Sequence, residues 1–125
     1  MQDEPTPVEL IKAVADFLRN DMLPESSGHN AFKLRVSINA LDLVTRQLTL
    51  QAGGDTAEAE RLASLLAMRG PLDELNRALA ERIASGEVDL QTPGLAAHLW
   101  QTTLDKLAID QPNYASYRRE LERRG

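Results

Sequence analysis

The chain has 125 residues, no cysteine and a formal net charge of −5, so it is long enough for one hydrophobic core and offers neither a disulfide framework nor thiolate metal ligands. The acidic balance disfavours binding to a nucleic-acid backbone, and the longest apolar runs fall far short of the ~20 residues that a membrane-spanning helix needs. No charged-then-apolar leader opens the sequence, so the expectation is a cytoplasmic protein with no membrane span.

Thr6-Pro7-Val8-Glu9 combines an N-cap hydroxyl, a proline at the first helical position and a glutamate two residues on, which places a helix start near Pro7. Leu10, Ile11, Val14, Phe17 and Leu18 recur at helical spacing, and Leu23-Pro24 with Ser26-Ser27-Gly28 ends the pattern. A second helix is expected from about Asn30 to Leu50. Its apolar residues, among them Phe32, Leu34, Val36, Ile38, Leu41 and Val44, spread well beyond one face, as in a central helix. Gly53-Gly54 reads as its stop, and Asp55-Thr56-Ala57-Glu58 as the capping box of a third helix carrying Leu62, Leu65 and Leu66.

Arg69-Gly70-Pro71 separates that helix from a fourth with Leu72, Leu75, Leu79 and Ile83, which Gly86 closes. Thr92-Pro93 opens a fifth, with Leu95, Leu99, Trp100, Leu104 and Leu107, and Pro112 restarts a short sixth with Tyr114, Tyr117 and Leu121. No stretch alternates with the period of a strand. The expected fold is all-α: a single-domain helical bundle over residues 1–125, with five major helices and a short C-terminal one.

The chemistry of enzymes is sparse. Ser26 and Ser27 lack the strand-turn-helix setting of a nucleophile, Gly53-Gly54 lacks the lysine of a phosphate loop, and His29 and His98 stand in no metal-binding pair. His29 reads as a capping residue and His98 as a partly exposed side chain beside Trp100. The arginines of YRRELERRG, at 118, 119, 123 and 124, read as a solvated helix end.

One pattern stands out. Arg35, Asn39, Asp42 and Arg46 fall within about 60° of one another on a helical wheel, a polar seam in an otherwise apolar helix. It reads either as a solvent stripe laced by Asp42 with Arg35 and Arg46, or as a clasp. In the clasp, Asn39 lies inside and Arg35 reaches a carboxylate of the Asp105-Lys106…Asp110 turn.

Three segments carry a resemblance: PTPVELIKAVADFLRNDMLP, FKLRVSINAL and DKLAIDQPNYASYR. Together they resemble a family of small, mostly bacterial domain proteins of unknown function, often encoded beside aminoglycoside-phosphotransferase-like kinases and acyl-CoA dehydrogenase-like enzymes. The resemblance implies no activity. It draws attention to Arg35 and Asn39 of RVSIN, Asp105 and Lys106 of DKL, and Asp110, Pro112, Tyr114, Tyr117 and Arg118 of IDQPNYASYR.

The functional expectation is a non-enzymatic accessory or interaction module without cofactor or metal. Its partner would be a protein, with phosphotransferase-like and acyl-CoA-metabolising enzymes suggested by the resemblance. The alternative is a bundle that holds a small anion through Arg35 and Asn39, with help from Lys106 or Arg118. A symmetric homodimer is expected, with part of the stripes Leu62, Leu65, Leu66 and Leu72, Leu75, Leu79 facing a twin.

Overall fold

A computed structural model describes residues 4–125. Among them there are five α-helices and no strand: α1 (Pro7–Phe17), α2 (Gly28–Leu66), α3 (Leu72–Ser85), α4 (Leu95–Asp110) and α5 (Ala115–Arg124). The chain divides into two compact units, one ending at Gln51 and the other spanning Ala52–Gly125.

α1 starts as its sequence dictates. The Thr6 hydroxyl accepts from the Glu9 amide at 3.2 Å and donates to the Glu9 carboxylate at 3.1 Å, so one orphan donor of the first turn is satisfied. A π-helical turn, Leu18–Met22, continues the chain before the loop to α2. The buried residues of this unit are Ala15 on α1 and Ala31 and Ile38 on α2.

The expected break at Gly53-Gly54 is not there, and the second and third expected helices are one helix of 39 residues. A glycine ends a helix by adopting positive φ, as Gly86 does at the end of α3 (φ 82°), whereas Gly53 and Gly54 keep helical backbone. Thr56 has no cap to form and instead donates back to the Ala52 carbonyl at 2.9 Å. Two internal glycines cost roughly 1 kcal/mol each relative to alanine, an amount that packing of the flanking segments readily exceeds. The glycine pair lies next to the boundary between the two units.

α2 ends at Leu66, where Ala67 takes positive φ (53°). The Leu66 carbonyl, left without a helical partner, accepts from Arg82 of α3 at 3.0 Å. Around this point the second unit builds its core from Leu62 and Leu66 of α2, Leu75 and Leu79 of α3, Val88 of the following loop and Leu95 of α4. The leucines expected to face a twin are therefore largely consumed by the chain's own interior: Leu62, Leu66, Leu75 and Leu79 are all buried.

The start of α4 also differs from expectation. Thr92 does not cap it; its hydroxyl accepts from the Asp89 amide at 3.0 Å within the preceding turn, and Gly94 becomes the N-cap with φ 90°. The helix is rotated relative to its expected apolar face. Leu95, His98 and Leu104 are buried, while Leu99 and Trp100 are about half exposed.

Candidate functional site

The four seam residues of α2 do not share one environment. The buried residues of α2 in the first unit are Ala31 and Ile38, and of the four seam residues Asp42 lies closest to them by helical angle. It is thus the one that reaches across, accepting from Arg19 at 2.7 Å; Arg19 is also held by Asp16 at 2.8 Å, one turn away. The hydrogen bond and charge of Asp42 push the Arg19 guanidinium above its ordinary range. Arg46 is half-buried, whereas Arg35 and Asn39 are exposed. The expectation that Asn39 lies inside is corrected: its position on the wheel turns it away from α1. Asp42 is engaged from outside its own helix, by Arg19.

The C-terminal residues singled out with the seam are likewise spread over different environments. Asp105 is half-buried and accepts from Gln101 at 2.9 Å. Lys106, Asp110, Tyr114 and Arg118 are exposed, and Tyr117 is buried. The arginines of the last helix are less free than a solvated end implies: Glu120 accepts from Arg123 at 2.6 Å, from Arg124 at 2.9 Å and from the Trp100 indole at 3.2 Å. The bonds from Arg123, Arg124 and Trp100 draw the Glu120 carboxyl down to about 2.

Two other features of the molecule have the character of sites. In the first unit, Leu10, Val14 and Phe17 of α1 lie at i, i+4 and i+7 and are each at least half exposed. Phe32 and Val36 on α2 are exposed as well, one helical turn apart, as are Val44 and Leu48. His29 stacks on Phe32, with ring centroids 6.5 Å apart. These are large apolar side chains in a unit whose fully buried residues are two alanines and an isoleucine, with Ile11, Leu18, Leu34, Leu41 and Leu43 half-buried.

In the second unit, a cleft of about 530 Å³ lies between the C-terminal part of α2 and the start of α4. Arg61, Ser64 and Leu65 line one side at i, i+3 and i+4; Ala97, His98 and Gln101 line the other at i, i+1 and i+4. His98 is only 2 % exposed, not the partly exposed side chain expected. Its Nδ1 accepts from Arg61 Nε at 3.0 Å. The same guanidinium donates to Thr102 Oγ1 at 3.1 Å and stands 4.0 Å from Asp105. Burial first, and the Arg61 charge second, hold the imidazole below its ordinary value of 6.5, against an opposing pull from Glu58.

Sequence reasoning missed this network, although a signal was present. His98, Thr102 and Asp105 recur at i, i+4 and i+7, a polar row along a helix read for its leucines. Such a row, facing a helix with an arginine beside Leu62, is the arrangement a guanidinium needs for several partners at once. Among the described residues, no group of three or more histidine or acidic side chains gathers as metal ligands would. No helix among them is long and apolar enough to cross a membrane.

A family described as "Domain of unknown function (DUF6285)" matches residues 24–114, most of the chain. No curated protein matches, and no solved structure does.

Proposed function

The chain belongs to the DUF6285 domain family, and because that description carries no activity we propose, from the chemistry of its surface, a non-enzymatic accessory module that works by protein–protein contact. The observation that supports this reading is the exposure of large apolar side chains on both helices of the first unit, Leu10, Val14 and Phe17 on α1 and Phe32 and Val36 on α2. Large apolar side chains concentrated on one small unit and left in water are commonly covered by another surface.

The occupant we propose is a second copy of the chain. Two helices with apolar stripes cannot enclose a core, whereas two such hairpins supply the four helices of a bundle, and a two-fold contact lets the same patch complete itself. In this reading the homodimer persists, but through α1 and the N-terminal part of α2 rather than through the leucines of the second unit. The chain then acts as one cytoplasmic helical domain. Phosphotransferase-like kinases and acyl-CoA dehydrogenase-like enzymes, suggested by the resemblance of the sequence, are the purified proteins to test first as partners of that dimer. The alternative of an anion held by Arg35 and Asn39 is less well supported, since both side chains are exposed.

Light scattering across concentration tests the reading. The expected result is a dimer at micromolar protein that Phe17→Asp or Val14→Asp converts to a folded monomer. A wild-type chain that stays monomeric up to about 100 μM overturns it.

A further inference from the structure

The cleft beside His98 has no part in that contact face, and its polar groups are arranged with one bias. Because Nδ1 of His98 accepts from Arg61, the neutral ring carries its proton on Nε2. No buried side-chain nitrogen or oxygen among the described residues lacks a partner, so Nε2, which has none among them, retains contact with solvent, and His98 is one of the residues that line the cleft. Arg61 uses Nε and Nη2 internally and has Nη1 to spare. Ser64 adds an exposed hydroxyl. The N-terminal turn of α4 has no side-chain cap, and its Pro93 and Gly94 lie on the same wall. Every one of these groups can donate a hydrogen bond or favours negative charge. The remaining wall is Leu65, Pro93 and Ala97 with Gln101, whose amide donates to Asp105 and accepts from Arg124.

We propose that this cleft is a binding site for a small organic monocarboxylate with an apolar body. The carboxylate would take Arg61 Nη1 and His98 Nε2–H, and the body would lie against Leu65 and Ala97. The charge balance selects a monoanion. Arg61 is the one cation among the described residues that line the cleft, and Asp105 at 4.0 Å and the pull of Glu58 on His98 already offset part of it, so the attraction that remains does not repay the desolvation of a phosphate dianion, which grows with the square of the charge. Gly94 is part of the design: with φ 90° and a would-be Cβ 3.3 Å from Leu65 Cδ2, only glycine lets the α4 turn close onto that wall.

The test is a titration of the full chain with benzoate and hexanoate, followed by calorimetry and by amide chemical shifts in two-dimensional NMR. The expected result is saturable binding that shifts the signals of Ala97 and His98, with benzamide, the neutral isostere of benzoate, at least about tenfold weaker. Arg61→Gln is expected to weaken benzoate by about tenfold or more. Should that variant fail to fold, Ala97→Leu decides, because it fills the cleft at an exposed position and leaves the Arg61–His98 bond in place. Folded Ala97→Leu is expected to lose binding. The proposal is overturned if neither carboxylate saturates by about 10 mM, if benzamide binds as well as benzoate, if inorganic phosphate competes equally, or if Ala97→Leu still binds.

Discussion

The two units of this chain solve the same problem with different resources. The second, Ala52–Gly125, buries four leucines of α2 and α3 against Val88 and Leu95, and it carries its buried histidine with a partner on Nδ1. The first buries two alanines and an isoleucine while phenylalanines and valines of both helices remain in water. Since apolar burial contributes in proportion to area, roughly 25 cal/mol per Å², small buried side chains with large exposed ones describe a core that is not yet complete. A closed core can hold a cleft with fixed donors; an incomplete one is suited to contact.

The sharpest way to break this contrast is to truncate each region. Leu62→Ala and Leu75→Ala, at fully buried positions, are expected to lower unfolding free energy by about 2–5 kcal/mol in denaturant melts. Phe32→Ala and Val36→Ala should shift the stability of the isolated chain by under about 0.5 kcal/mol, and instead weaken association in light scattering. Equal effects on the two sides would erase the distinction.

The Arg61 network comes next. Arg61→Ala leaves the buried Nδ1 of His98 without its donor and is expected to cost about 1–3 kcal/mol. His98 also titrates with a sign that can be checked: its folded value lies below the ordinary 6.5, so folding favours the neutral ring. Its contribution is complete above about 6.5 and is lost as pH falls from there towards the lower folded value. His98→Gln should flatten that part of the stability curve. Glu120 acts in a lower window. Its carboxyl is drawn from 4.5 to about 2, so the contribution is present above 4.5 and disappears as pH falls to about 2. An acid titration of Glu120→Gln that keeps the parent's slope in that window would contradict the assignment.

At the junction of the two units, Gly53→Ala and Gly54→Ala should each raise stability, by up to about 1 kcal/mol, because an added Cβ meets nothing within 4 Å and the backbone is helical. Destabilisation there would mean that the helix does not run through. The smallest effects belong to Arg35→Ala and Asn39→Ala, expected within about 0.5 kcal/mol of the parent in thermal or chemical melts. A loss of 1–3 kcal/mol at Asn39, as a buried amide would give, would restore the clasp.

Local chemistry decided much of this molecule. The Thr6 cap, the positive-φ Gly86 and the apolar row of α3 depend on residues within a turn or two of one another, so their outcome can be read along the chain. The absence of strand periodicity agrees with the all-α architecture of the described residues. Other outcomes turned on competition between local and distant terms. Gly53-Gly54 and Thr56 carry the local marks of a stop and a start, but a helical φ at the glycines lets α2 run on. Thr92 had two possible duties, and the turn at Asp89 took it. Asp42, the member of the seam with an angle towards α1, found Arg19 from 23 residues away, and His98 found Arg61 from 37. Which carboxylate meets which guanidinium, and whether an imidazole lies at the surface or in the core, depends on the rotation of one helix against another; spacing along the chain defines each face but not the neighbour it meets, and packing alone chose Arg61 and His98 over Arg35 and Asn39 as the enclosed polar pair.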